Sequence, residues 1–347
     1  MLADQLDYVM GVDPHRDAHA VGLVEVRTGL VVFEATVSAD SGGYAEALRL
    51  ADQHAPGRRA FAIEGTGSFG AGIARFLTRQ GEQVFEVSRL RRERRSGGKT
   101  DALDAVRAAR SVLAAKRPAI PRASGEREAL RALVATREGA VNARTAALCQ
   151  LRDLIITAPE PLRGELRGLS RARLLNHLTA TRPDRRQDPS LRGTHLALKA
   201  LARRIQQLTT EERELAREIE QLTRELAPQL LNETGVGPLL AAQIVLSWSH
   251  HGRIANEAAF ARLAGAAPIP ASSGQTIRHR LDRSGDRKLN RTLHQIIVTR
   301  RRWDPTTIAY IERRTQEGKT RREATRCLKR YLARHLYRLL ENPPMTP

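Results

Sequence analysis

The sequence predicts a mixed α/β domain followed by an all-α section that includes a coiled coil. Three observations lead there. Over residues 8–87, apolar runs of strand length alternate with turns and helix-like stretches, which is how a sheet covered by helices reads. Beyond residue 121 the chain turns helical and Arg-rich. Between Leu201 and Leu226 the apolar residues fall on alternating four–three spacing, a seam of nearly four heptads.

Taken in order, Tyr8 to Val12, Ala20 to Val26 and Leu30 to Val37 form a meander of strands with Thr28-Gly29 as the hairpin turn. A helix-like stretch from Tyr44 to Gln53 follows, then a strand from Arg59 to Glu64. The glycine-rich turn from Gly65 to Gly70 leads into a helix from Ala71 to Gln80 and a strand from Gln83 to Val87. Arg89 to Arg95 is a basic burst ahead of Ser96-Gly97-Gly98, after which an Ala-rich helix runs to about Lys116. Pro118 and Pro121 punctuate the end of this part, so the expected division is residues 1–120, a helical and coiled-coil region at 121–228, and a C-terminal domain at 229–347.

The seam consists of Leu201, Ile205, Leu208, Leu215, Ile219, Leu222 and Leu226, and only Glu212 breaks it. It is expected to pair subunits into a homo-oligomer, a dimer or a tetramer; the alternative is a long helix packed within its own chain. The run from Leu231 to Ile244 reads as a helix-hairpin-helix turn. There Gly235 and Gly237 would let the backbone approach closely, and the next helix would offer its N–H groups to a phosphate. The remainder is helical apart from a Pro- and Ser-rich loop at Pro268 to Gly274.

Charge indicates the partner. Against 38 Asp and Glu stand 58 Lys and Arg, a net of +20, which favours a polyanion and nucleic acid first. From Gly274 to the end, 19 Lys or Arg face 7 Asp or Glu, a local net of +12. Two cysteines, Cys149 and Cys327, lack the spacing of a zinc set or a disulfide framework and suit a reduced cytoplasm. The beginning of the chain lacks the features of a signal peptide, and the longest weakly polar stretch, Gly235 to Trp248, is too short to cross a bilayer.

Four carboxylates carry the chemistry. Asp13 and Glu64 each close a short apolar run that reads as a buried strand, where an acid without a counter-charge is costly. Asp101 and Asp104, three residues apart on a helix, share one face. Together they make an oxygen-only site suited to Mg²⁺ or Mn²⁺ rather than zinc. Taken singly, Asp13 also fits a strand-end turn, Glu64 an ion pair with Arg58 or Arg59, and Asp101 a helix N-cap. His15 and His19 lie in strand-like sequence with no Cys or third His close by and read as surface or core histidines; His250-His251 reads as a helix end.

The segments Gly11-Val-Asp-Pro-His-Arg-Asp-Ala-His19, Glu64-Gly-Thr-Gly-Ser-Phe-Gly70 and Lys99-Thr-Asp-Ala-Leu-Asp-Ala105 resemble the three blocks of the DEDD transposases of bacterial insertion sequences. That family's N-terminal domain is similar to the RuvC-type junction resolvases and is RNase H-like. The runs from Gly265 to Gly274 and from Arg283 to Leu293 resemble its C-terminal transposase block. Alanine at 266 stands where the family commonly has leucine, a packing change, and Pro14 removes an N–H beside the first aspartate.

The resemblance implies a recombinase in which Asp13, Glu64, Asp101 and Asp104 hold Mg²⁺, or Mn²⁺, while a serine of the C-terminal domain attacks phosphorus to form a protein–DNA ester. By motif position that serine is Ser273, with Ser272 its rival. It further implies a guide RNA that pairs with donor and target DNA, and a bacterial cytoplasmic, nucleoid-associated setting. Gly235, Gly237, Arg278, Arg280, Lys288 and Arg291 are the candidate nucleic-acid contacts. The alternatives are a metal-dependent junction nuclease that uses water and a non-catalytic nucleic-acid-binding protein.

Overall fold

The computed structural model describes residues 2–87, 101–182, 186, 188–271, 279, 280, 282 and 284–343. The chain divides into two compact units, Met1–Ser124 and Gly125–Pro347.

The first unit is built on a five-stranded sheet. Its elements are β1 (Tyr8–Pro14), β2 (Ala18–Glu25), β3 (Val31–Ser38), α1 (Ser41–His54), β4 (Arg59–Glu64), α2 (Ala71–Arg79), β5 (Val84–Val87) and α3 (Asp101–Leu113). The strand order is β3-β2-β1-β4-β5. β1, β2 and β3 form the expected antiparallel meander, and β4 and β5 continue it in parallel. Helices cover both faces, as in the RNase H-like domain that the sequence leads one to expect.

Side chains alternate between the faces with a period of two. Met10, Val12, Val21, Leu23, Phe61 and Ile63 pack with Ala47 and Ala51 of α1 and Ile73 and Leu77 of α2. Val9, Val24, Ala60 and Ala62 meet Val106, Ala108, Ala109 and Val112 of α3 on the other side. α3 lies unusually close to the sheet because two strand positions facing it lack side chains. A Cβ on Gly11 would fall 1.8 Å from the Ala105 carbonyl oxygen, and one on Gly22 would fall 2.8 Å from Val106 Cγ2. The first turn of α3, which carries Asp101 and Asp104, is therefore set directly against β1.

The second unit contains α4 (Glu126–Ile156), α5 (Glu160–Leu166), α6 (Arg171–Ala180), α7 (Pro189–Leu226), α8 (Pro228–Leu231), α9 (Pro238–Trp248) and α10 (Glu257–Leu263). After these come the short pair β6 (Ile269–Pro270) and β7 (His279–Arg280), then α11 (Arg287–Trp303), α12 (Pro305–Gln316) and α13 (Arg321–Glu341). α7 starts at Pro189, well before the seam. Asp188 caps it by accepting from the N–H groups of Ser190 and Leu191, and Pro189 occupies the first turn, where its missing N–H costs nothing.

The seam of α7 is used inside the chain. Leu198, Leu201, Ala202 and Ile205 share a core with Ala147 and Leu151 near the C-terminal end of α4. Leu130, near the start of α4, shares the next core with Ile219. α4 and α7 thus run antiparallel. Glu212, which interrupts the apolar pattern, meets two arginines of α4: Arg144 donates at 2.7 Å and Arg137 donates to the other carboxylate oxygen. Burial alone would raise the Glu212 carboxyl; the hydrogen bonds and charges of Arg144 and Arg137 hold it below its ordinary value.

The second core surrounds α9, an apolar helix through Ala241, Ala242, Ile244 and Val245. The helix packs against α4, α7 and α11 and shares one core with Leu289, Leu293 and Ile296 of α11 and Leu332, Leu336 and Leu340 of α13. Burial of most of its length accounts for its even hydrophobicity. Among the described residues, no helix is long and apolar enough to cross a membrane.

Candidate functional site

Asp13 and Glu64 stand at the ends of neighbouring strands because β1 and β4 are parallel, though the group of ligand atoms found among the described residues holds Asp13 and not Glu64. Gly11 is opposite Ala62 and Val12 opposite Ile63, so Asp13 and Glu64 follow side by side at the C-terminal ends of strands about 4.8 Å apart. By the same alternation, Asp13 follows Val9 and Gly11, and Glu64 follows Ala60 and Ala62, onto the face covered by α3. There the first turn of α3 presents Asp101 and Asp104. The positive end of the helix dipole favours carboxylates at that position.

The tightest group is Asp13, His15 and Asp101, whose ligand atoms all lie within 4.8 Å of one another. His15 Nε2 is 3.2 Å from Asp13 Oδ2 and 3.5 Å from Asp101 Oδ2. Asp104 accepts from Arg107 Nη1 at 3.0 Å. Burial pushes the Asp13 carboxyl above its usual range, and the charges of Asp104 and Asp101 push the same way against the pull of His15. Arg58 pairs with Asp7, and Arg59 with Asp52 and Glu82. The sharp turn after β4 uses Gly65 at φ +63, with Ser68 donating its N–H and hydroxyl to the Gly65 carbonyl. Beside the acids a hollow of about 560 Å³ is lined by His15, Arg16, Thr36, Phe69 and Asp101.

In the second unit, β6 and β7 pair as Ile269 with Arg280 and Pro270 with His279. They frame the segment containing Ser272, Ser273 and Arg278, which lies outside the described residues. A compact network joins described residues on the two sides of this segment in sequence. Gly265 and Gly285 have positive φ and meet back to back: a Cβ on Gly285 would fall 2.4 Å from the Leu263 carbonyl, and one on Gly265 would fall 2.7 Å from that of Ser284. Asp286 caps α11 through the N–H groups of Lys288 and Leu289 and accepts from the Ser247 hydroxyl at 2.6 Å. Asn290 donates to the Ala264 carbonyl at 2.6 Å and accepts from Lys329 Nζ at 2.9 Å.

Two family models match this chain. Residues 10–158 match the family described as "Transposase", DEDD_Tnp_IS110, and residues 227–312 match "Transposase IS116/IS110/IS902 family". The chain carries the domains of an IS110-family transposase. No curated protein matches it.

The transposase is a DNA-acting enzyme whose DEDD domain implies a divalent metal, and the residues at the strand ends fit one. Asp13 and Asp101 converge with Asp104 close enough to repel them, burial raises the Asp13 carboxyl above its ordinary value, and a cation would offset both effects.

The other candidate contacts fall into two environments. Gly235, at φ +79, brings its turn against α11: an added Cβ would stand 3.3 Å from the Ile296 carbonyl. Arg300 donates to the Thr234 carbonyl at 2.7 Å, and Glu233 accepts from Arg300 and pairs with His335, so this turn is anchored to α11 and α13. Gly237 instead faces open space as the N-cap residue of α9. With Lys288 and Arg291 it lines a groove of about 600 Å³ between α4, α7, α9 and α11. Glu138 on the groove wall engages Lys288 at 2.5 Å. Arg280 is exposed on β7.

Sequence reasoning set His15 aside as a surface or core histidine and passed over Asp286 and Asn290. His15 lies just past the end of β1, in the turn to β2, where no strand periodicity points to it. Asp286 and Asn290 stand four apart inside the C-terminal block, as a helix cap and an inward-facing clamp would.

Proposed function

We propose that the transposase cleaves and exchanges DNA strands through a covalent ester on Ser273, assisted by a divalent cation held by Asp13, Glu64, Asp101 and Asp104. The convergence of Asp13 and Asp101 beneath the first turn of α3, in a chain with both transposase domains, carries this reading. A cation bound there, Mg²⁺ or Mn²⁺, supplies charge neutralisation at the scissile phosphate.

The protein's own groups do the rest. The Ser273 oxygen bonds to phosphorus as one phosphodiester P–O bond breaks, and the released deoxyribose oxygen takes up a proton. Because the ester conserves the phosphodiester bond, a hydroxyl of another strand can displace the serine and reseal DNA without ATP. The network of Gly265, Gly285, Asp286 and Asn290 joins the two sides of the serine segment in sequence. The α8–turn–α9 hairpin with Lys288 and Arg291 contacts nucleic-acid backbone. A guide RNA selects the sequences, and the chain works as a homo-oligomer.

A labelled DNA end separates this from hydrolysis. Wild type should give a denaturant-resistant protein–DNA adduct that Ser273→Ala loses and Ser272→Ala largely retains. Cleavage without an adduct would instead point to water as nucleophile, and loss confined to Ser272→Ala would move the role one residue back.

A further inference from the structure

We infer that His15 is a direct ligand of the cation site, making it a mixed nitrogen–oxygen site that favours Mn²⁺ over Mg²⁺. This rests on the reading of the strand-end acids as a divalent-cation centre, and it changes the composition of that centre.

The backbone puts His15 there. Pro14 ends β1 opposite His19, and the His15 N–H donates to the Ala18 carbonyl at 2.9 Å, closing a tight turn into β2. The turn fixes His15 beside Asp13 on the face towards α3, with its ring about half exposed and its Nε2 between the two carboxylates.

The two separations from His15 fit neighbouring ligands of one ion. Donor atoms about 2.1 Å from one octahedral cation lie about 3.0 Å apart when adjacent and about 4.2 Å apart when opposite. His15 Nε2 stands 3.2 Å and 3.5 Å from the two aspartate oxygens, and the whole group is within 4.8 Å. A neutral imidazole with its proton on Nδ1 presents the Nε2 lone pair to that centre. Imidazole nitrogen suits Mn²⁺ and later transition ions, whereas Mg²⁺ is held by oxygens and water. One histidine among aspartates therefore biases the choice of metal.

The test uses the full-length protein and Mn²⁺. Binding is followed by the loss of the free-ion EPR signal, and nitrogen ligation by electron spin-echo modulation. Bound Mn²⁺ should show ¹⁴N modulation that changes to the ¹⁵N pattern when the protein is made with ¹⁵N-histidine. Because losing even an outer partner of a ligand costs about 10–100-fold in affinity, His15→Gln should weaken Mn²⁺ by at least about tenfold and remove the nitrogen signal. Mg²⁺ affinity, read by competition, should change far less. If wild type binds Mn²⁺ in an Asp13-dependent way without histidine modulation, His15 is only a counter-charge and the proposal fails while the acid site stands. If Asp13→Asn leaves Mn²⁺ binding unchanged, the cation reading itself fails, and this proposal with it.

Discussion

The Asp13 side chain is only 13% exposed and has two further acids in reach, so its negative charge is less favourable than that of a free carboxylate and a cation would offset the difference. Two outcomes follow from that one position. Asp13→Asn should raise the melting temperature of the metal-free protein, because the amide keeps the shape and removes the repulsion, and it should abolish the further rise that divalent cations give wild type. The same substitution, like Glu64→Gln and Asp104→Asn, should reduce strand cleavage by about a thousandfold if the ion contributes about 4 kcal/mol to the transition state, with nucleic-acid binding retained. A calorimetric scan with and without Mn²⁺, beside a cleavage assay, checks both. Near-normal cleavage by Asp13→Asn would remove this site from the chemistry. The acids were legible because a carboxylate at the end of an apolar run violates the expected pattern. His15 was not, because a histidine in a turn violates nothing until Asp101 is seen to approach it from a helix more than eighty residues away.

At the scale of elements, the α4–α7 pair shows how a seam can be read correctly and its partner missed. The spacing of Leu201, Ile205 and Ile219 is the same whether the facing helix belongs to another copy or to residues 126–156. Glu212 held the clue, since the two arginines that satisfy it are Arg137 and Arg144 of the same chain. Glu212→Ala should cost about 1–3 kcal/mol, less than for a fully buried pair because all three side chains keep some exposure. Its carboxyl is depressed in the fold, so its contribution is complete above the unfolded carboxylate value and is lost as pH falls through the depressed one. Chemical denaturation at neutral and strongly acidic pH should show the variant's deficit shrinking in acid. Leu222→Asp should lower the melting temperature outright, because Leu222 packs against the second unit's own core. A change of mass by light scattering with an unchanged melt would return the seam to subunit pairing.

For the molecule as a whole, charge predicts how nucleic acid is held. With a net of +20, affinity for duplex DNA should fall steeply and linearly on a log–log plot against salt. Removing a side chain that contacts phosphate should lower the slope by about one. Arg291→Ala is expected to do so. Lys288→Ala should do less, because Glu138 already engages the ammonium, and Glu138→Gln should strengthen binding by releasing it. Equal slopes for wild type and Arg291→Ala would place the groove outside the contact. Most strands and helices of the first unit could be drawn from the sequence because its cores follow simple periods. The network of Gly265, Gly285 and Asn290 could not, since it joins backbone groups that no periodicity connects.

The missing side chain at Gly11 has a meaning for the history of such elements. α3 rests on the bare backbone there, so a single extra methyl would push the helix, and two of the four acids with it, away from the sheet. Gly11→Ala should therefore silence cleavage in a protein that still folds and still spells out every acid. Among the many decaying copies that a mobile element leaves in genomes, an intact set of acids would then be a poor certificate of life, and the residue at this position a better one.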